Sequence, residues 1–176
     1  MQIFIGRHAQ ADNNPIWQND EMRPITKEGK KIQYDICKKL LLDLSSNPII
    51  NLKFEEIWAS PLLRVQETLE IYKKVLKIPN ITVRVFQDLR PDGNPTLIHN
   101  EIIKLINIEK NSKGKNFLVY ESAIIIIGHN PCIYKLINIL VPNSFINYLH
   151  TSEIVWIKHN RNELEQFSIV KYYSID

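Results

Sequence analysis

Two histidines and two arginines stand where side chains of their kind can act on an anion. Arg7-His8 follows the apolar run Met1 to Gly6 without a spacer. Arg64 closes the stretch Ser60-Pro61-Leu62-Leu63-Arg64, and His129 follows four consecutive isoleucines in Gly128-His129-Asn130-Pro131. Every member of the set is a cation or a hydrogen-bond donor. Arginine offers a planar fork that matches two phosphoryl oxygens at once, and a helix N-terminus beside it favours negative charge. A histidine among arginines is pressed toward its neutral form, which keeps a nitrogen lone pair available. Its second nitrogen needs a partner, for which a backbone carbonyl is the natural choice, to fix the tautomer. His8 is therefore a candidate nucleophile toward phosphorus. Arg7, Arg64 and a protonated His129 would stabilise the charge on the transferring group. By itself an Arg-His pair is more simply two solvated residues at a strand end, so the surrounding elements must bring the four together.

The chain reads as β-α-β-α-β-α-β-α-β-β. The first strand is the β-branched and aromatic run ending at Gly6, buried on both faces. A polar stretch from Gln10 to Arg23 forms a loop over the top of the sheet. Thr26 then caps a helix whose inner face carries Ile32, Ile36, Leu40, Leu41 and Leu44 and which ends over Ser45 to Pro48. Phe54 to Ala59 is a second strand, and Ser60-Pro61 reads as an N-cap with proline at the first helical position. Ile81 to Phe86 is a third strand, followed by a turn-rich loop and a helix from Asn94-Pro95 to about Ile108. Asn111 to Asn116 is a polar connector. Ser122 to Ile127 fits a central parallel strand, and Pro131 to Leu140 a helix. Ser152 to Lys158 and Leu164 to Tyr172 form two last strands joined by a turn around Asn160 to Asn162. Strands alternating with helices predict a three-layer α/β/α fold with a mostly parallel sheet and an antiparallel C-terminal edge hairpin. In a parallel sheet the carboxyl ends of the first, second and fourth strands lie on one edge, where ligands bind in open α/β sheets. That geometry would gather all four residues.

With 176 residues the chain fits one domain spanning 1–176, with no repeat or linker, and can bury a core without disulfides or metals. It is 44% hydrophobic and 23% charged, with a net charge of +3 and a pI near 8.8. Its lysines and arginines are scattered, which argues for solvated faces and against a nucleic-acid stripe. Cys37 and Cys132 have no metal-type spacing and read as buried free thiols in a reducing compartment. No basic-then-apolar leader precedes the first strand and no run approaches the ~18 apolar residues of a membrane span. These features predict a cytoplasmic protein that engages neither membrane nor nucleic acid.

The three stretches Arg7-His8-Ala9, Ser60 to Thr68 and Gly128 to Pro131 together resemble the signatures of the histidine phosphatase superfamily, the phosphoglycerate mutase-like fold. Arg23 to Gly29 and Leu89 to Gly93 resemble its small SixA-type phosphohistidine phosphatases. The resemblance runs from Met1 to about Leu140. It implies that His8 is the phosphorylated nucleophile, that Arg7 and Arg64 bind phosphoryl oxygens, and that His129 completes the pocket, with no cofactor or metal. It implies a phosphorylated protein as partner, a histidine phosphotransfer domain being one candidate, with phosphate ion as product. The superfamily usually has glycine after the first histidine, where this chain has Ala9. A site requiring positive φ or tight approach there would be strained by the methyl group. The dedicated acid of the mutase branch is also missing from Asp88 to Gly93. Phosphohistidine tolerates that absence, because a protonated ring leaves as neutral imidazole, whereas an ester's alkoxide needs a proton. Asp92 is either an acid or water positioner, or a turn aspartate beside Gly93.

Two other functions fit the same residues: hydrolysis of a small phosphate ester, and a non-catalytic phosphate-binding module prompted by Ala9. Among the remaining polar groups, His99 and His159 read as solvated, the latter in the hairpin turn. His150 either rims the pocket or is structural. Arg23 either reaches the phosphate or pins the loop by a salt bridge. Trp58 reads as strand core, Trp156 as hairpin packing, and Trp17 as part of the loop over the site.

Overall fold

The computed structural model describes residues 1–46, 51–112, 120–160 and 166–175, with backbone alone at 111 and 112. The expected alternation is present: β1 (Gln2–Arg7), α1 (Lys27–Ser46), β2 (Leu52–Ala59), α2 (Leu63–Val75), β3 (Thr82–Val85), α3 (Pro95–Ser112), β4 (Glu121–Gly128), α4 (Cys132–Leu140), β5 (Ile154–His159) and β6 (Phe167–Tyr173). Short 3₁₀ turns at Asp20–Met22 and Gln87–Leu89 interrupt two of the connections. The connector beyond Ser112, the turn beyond Asn160 and the stop predicted at Pro48 lie outside the described residues.

The strands form a mixed sheet in the order β3-β2-β4-β1-β5-β6. β1, β2, β3 and β4 pair in parallel, while β5 runs against both β1 and β6. Strand alternation divides the isoleucine run between two cores. Ile124 and Ile126 join Ile3, Ile5 and Trp58 under α3 and α4. Ile125 and Ile127 join Phe4, Ile57 and Ala59 under α1 and α2. With helices on both faces, a central strand can be apolar at every position, which is why periodicity alone could not reveal its faces. The C-terminal hairpin closes the β1 side, and Trp156 packs on Phe4 with ring centroids 5.3 Å apart.

Local chemistry sets several boundaries. Thr26 caps α1 as expected, its hydroxyl accepting from Gly29 N at 2.9 Å. The start of α2 differs from expectation. The helix begins at Leu63 with Leu62 in the cap position and no side-chain cap bond. Ser60 is fully buried, and its hydroxyl lies against His129 Nε2 at 3.1 Å, with only a marginal 3.5 Å contact to Leu62 N. A buried hydroxyl takes the strongest partner in reach, and here that partner is the imidazole. His159 also departs from the expected solvated turn. It is the last residue of β5, buried, with its ring 5.1 Å from Phe167. His99 is half-buried on α3 rather than solvated.

Two strand-end glycines permit close helix packing. A β-carbon on Gly6 would lie 2.5 Å from the hydroxyl of buried Tyr72 on α2, and one on Gly128 would lie 2.8 Å from Ile133 Cγ2 on α4. Gly6→Ala should therefore destabilise the fold by about 1–3 kcal/mol through overpacking. Adding Tyr72→Phe, which removes the offending oxygen, should recover part of that loss in chemical denaturation. Strictly additive losses in the double variant would refute the contact as the cause.

Candidate active site

Register brings the predicted residues together. β1 and β4 align Gly6 with Ile127 and Arg7 with Gly128, and β2 aligns Ala59 with Ile127. Arg7, Gly128 and Ser60 therefore leave the sheet on neighbouring positions of three adjacent strands, and His8 and His129 follow one residue later. Their imidazole centroids are 4.7 Å apart, close to the ~4.8 Å spacing of paired strands. The main chain holds this arrangement: His8 N donates to Gly128 O at 3.2 Å and Ser152 N to His8 O at 3.1 Å.

His8 Nδ1 lies 2.6 Å from Ala9 O. A carbonyl only accepts, so this nitrogen carries the proton and Nε2 keeps the lone pair. Ala9 is buried and is not among the residues of positive φ. The backbone strain that a positive φ would impose on alanine is therefore absent. Its N–H donates to Thr68 Oγ1 at 3.0 Å, and that hydroxyl donates to Arg64 O at 2.6 Å. Thr68 thus ties the residue after His8 to the helix that carries Arg64.

The arginines approach from different elements. Arg7 Nη1 donates to Tyr148 Oη at 2.6 Å and to Leu149 O at 2.8 Å, and its guanidinium lies over the Tyr148 ring. Arg64, in the first turn of α2, donates to Asp20 O at 2.8 Å and to Asp20 Oδ2 at 3.0 Å. Arg7 Nε and Arg64 Nε are buried and donate to no acceptor among the described residues. Arg23 forms an ion pair with Asp20 at 2.9 Å and donates a hydrogen bond to Asn13 Oδ1, so it pins the loop. It lies near enough to His8 to lower its basicity as well. Arg90 donates to Glu21 Oε1 at 2.6 Å and is a further cation acting on His129. The 3₁₀ turn at Asp20–Met22 thus presents carboxylates to three arginines, Arg23, Arg64 and Arg90.

These surroundings keep both imidazoles neutral. Burial, opposed by the Ala9 carbonyl and reinforced by Arg64, Arg7 and Arg23, lowers His8 to about 3 from the usual 6.5. Burial lowers His129 to about 2, with His8, Arg64, Arg7 and Arg90 adding to it. Desolvation thus outweighs the arginines that sequence reasoning credited. In the free site His129 is neutral; the protonated form expected from sequence concerns the ring beside a transferring phosphoryl group. Asp92 is 82% exposed and lies 3.6 Å from Arg90 Nε, so its observed role is that of a surface turn residue. His150 is exposed with its ring edge-on to Tyr148, beside the Arg7 partners on the rim. Ser60, Thr68, Tyr148 and Arg90 escaped the sequence reading. Ser60 and Thr68 lay inside a recognised stretch and had a local signal. Tyr148 lies in an irregular segment with none.

The depressed histidines make stability pH-dependent in a definite direction. Above pH 6.5 the folded and unfolded chains are both neutral at these rings. Below it the unfolded chain takes up protons that the folded site refuses, so stability falls. The advantage of the native chain over a His129→Asn variant should shrink by on the order of 1 kcal/mol between about pH 7 and pH 5.5. Urea denaturation at both pH values reads this difference, and a constant difference would rule out the neutral His129.

No protein-family model matches the chain. Phosphohistidine phosphatase SixA of Escherichia coli (strain K12) is 27% identical over 154 residues, covering 88% of this chain and 83% of the relative. The solved structure of the protein histidine phosphatase SixA complexed with tungstate superposes with a TM-score of 0.78 at 24% identity, covering 99% of this chain and 97% of that one. A phosphoglycerate mutase from Bacillus anthracis str. Sterne matches at 0.67 with 12% identity over 97% and 91%. A mycobacterial glucosyl-3-phosphoglycerate phosphatase matches at 0.62 with 15% identity over 96% of each chain. The chain is a homologue of the phosphohistidine phosphatase SixA, with the fold of the histidine phosphatase, or phosphoglycerate mutase-like, superfamily.

Proposed function

We propose that the protein is a phosphatase that removes phosphoryl groups from histidine on a protein through a covalent intermediate on His8. The observation that carries this reading is the neutral Nε2 of His8 together with two buried arginine donors, Arg7 Nε and Arg64 Nε, that no acceptor among the described residues satisfies. Such donors are costly to bury and call for an anion.

In the first half-reaction His8 Nε2 attacks phosphorus and the bond to the substrate imidazole breaks. A substrate ring protonated on its other nitrogen departs neutral. His8 keeps its Nδ1 proton on the Ala9 carbonyl throughout and becomes a phosphorylated imidazolium. In the second half-reaction water attacks phosphorus, and His8 leaves as neutral imidazole with that same proton. Arg7 and Arg64 bind the equatorial oxygens, where charge persists through the transition state. The incoming dianion favours a proton on His129, which then donates a further hydrogen bond. Neither half-reaction requires a carboxylic acid at the leaving group, in keeping with Asp92 turned toward Arg90. Between β3 and α3 there is only a 3₁₀ turn and a loop, so no helical insertion from that segment encloses the substrate. An open site suits a protruding side chain.

His8→Ala should abolish both turnover and base-stable ³²P labelling after mixing with a phosphohistidine protein, and near-normal hydrolysis would defeat the mechanism. A substrate panel of phosphohistidine peptides, sugar phosphates and nucleotides tests the class. Preference for esters at neutral pH would favour small-ester hydrolysis, the activity named for the mycobacterial structural neighbour.

Asp20 occupies the fork of Arg64 that the phosphoryl group would use. Asp20→Asn should therefore tighten tungstate or phosphate binding several-fold in calorimetry, because a charged competitor is removed. Unchanged or weaker binding would show that Asp20 does not compete.

A further inference from the structure

Outside the site, the seam between α1 and α2 opens into a cleft of about 660 Å³. On α1 it is lined by Lys27, Lys30 and Tyr34, spaced three and four residues apart and so arranged along one helical stripe. From α2 it is lined by Ile71, Lys73 and Lys74. At ~1.5 Å per residue, the stripe from Lys27 to Tyr34 is about 10 Å long, enough for two turns of a helix. Four lysines and the apolar side chains of Ile25, Ile71 and Pro79 share the lining with Glu67 and Glu70.

The cleft's own carboxylates are engaged within its lining: Glu70 pairs with Lys73 at 2.9 Å, and Glu67 Oε2 accepts from Ile25 N at 2.6 Å. Lys74 lies over the Tyr34 ring, 5.6 Å from its centroid. Lys27 and Lys30 are exposed and form no ion pair among the described residues. A lining that mixes lysines with apolar side chains is complementary to an amphipathic protein segment with acidic flanks. The phosphate backbone of a nucleic acid would leave the apolar side chains unused.

The cleft lies beside elements that carry the candidate site: Glu67, three residues beyond Arg64 on α2, lines it. Its upper end is formed by Ile25, Thr26 and Lys27, directly after Arg23 of the loop that holds Arg64. Thr26 N and Thr26 Oγ1 both bond Gln10, two residues beyond His8, at 2.8 and 3.2 Å. A protein that delivers a side chain to His8 can therefore extend down this flank.

We propose that the α1–α2 cleft is the docking surface for an acidic, amphipathic helix of the phosphohistidine protein. The proposal rests on the function argued above. The phosphoryl site would process the modified ring, and the lysine cleft would select which protein presents it.

The test compares the native chain with Lys30→Glu/Lys74→Glu on two substrates: a phosphorylated, acidic-faced histidine phosphotransfer domain and free phosphohistidine. KM for the domain should rise roughly tenfold with kcat unchanged, while neither constant moves for free phosphohistidine. Added salt should raise the native KM for the domain and affect the variant less. An unchanged KM for the domain, or equal changes with both substrates, would overturn docking in the cleft. If the charge reversal impairs folding, Lys30→Ala/Lys74→Ala should show the same substrate-selective change at a smaller size, and its absence there would equally overturn the proposal. If no phosphohistidine is hydrolysed by the native chain, the functional reading fails. Docking is then read by calorimetric binding of the unphosphorylated domain, where a roughly tenfold loss in the variant supports it and equal or absent binding refutes it.

Discussion

The in-register parallel pairing of β2, β4 and β1 is the constraint on which the site depends. Parallel strands end on the same edge, but only a particular register makes their last residues neighbours. Along β2 that register changes between Phe54 and Glu56. Up to Phe54 each β2 residue faces a partner one position later in β4 than the pairing beyond Glu56 would require. Without the irregularity, Ala59 would face Gly128 and Ser60 would face His129. The observed pairing instead places Ser60 beside Gly128, where its hydroxyl reaches the imidazole that follows. One extra residue at an irregularity shifts everything downstream of it. A feature at the beginning of β2 thus sets the hydrogen bond at its end.

Once the strand ends are aligned, the electrostatics follow from burial. Four arginines from four elements surround two imidazoles, and such a concentration of like charge would be costly if unbalanced. Asp20 and Glu21 supply that balance in the free protein, and Tyr148 and Leu149 O take the other side of Arg7. The imidazoles contribute by staying neutral. The loop over the site therefore does more than cover it: its carboxylates stand in for an anion at arginines that otherwise repel one another. In the proposed reaction, the phosphoryl group and the loop would compete for the same fork.

How much of this could be read in advance depended on the kind of signal involved. The alternation of elements was legible because the apolar residues of α1 and the isoleucines of β4 carry strong, distinct patterns. The convergence of Arg7, His8, Arg64 and His129 was legible because topology alone puts parallel strand ends on one edge. The Nδ1 partner of His8 was anticipated as a backbone carbonyl and is Ala9 O. Ser60 was misread because serine before proline is a good helix-cap signal, and a tertiary partner overrode it. His159 was misread because a turn's extent cannot be judged to one residue, and one residue separates a strand end from solvent. Arg90 lay inside a recognised stretch without an assigned role, and Tyr148 gave no signal, since their roles arise from long-range contacts with residues 21 and 7.

Ala9 illustrates how the structure changes the terms of an argument. Glycine at such a position suggests a need for positive φ or for space beside the anion, and a methyl group would then handicap the site. Here residue 9 does not lie in the left-handed region. Its N–H is engaged by Thr68 and its carbonyl by the His8 ring. Both of its backbone functions are thus independent of the side chain, and a methyl group that leaves φ negative preserves them. What this position demands is a particular direction of carbonyl and N–H, and alanine meets that demand at little steric cost. The carbonyl of Ala9 fixes the Nδ1–H tautomer of His8, while its N–H connects that residue, through Thr68, to the helix bearing Arg64.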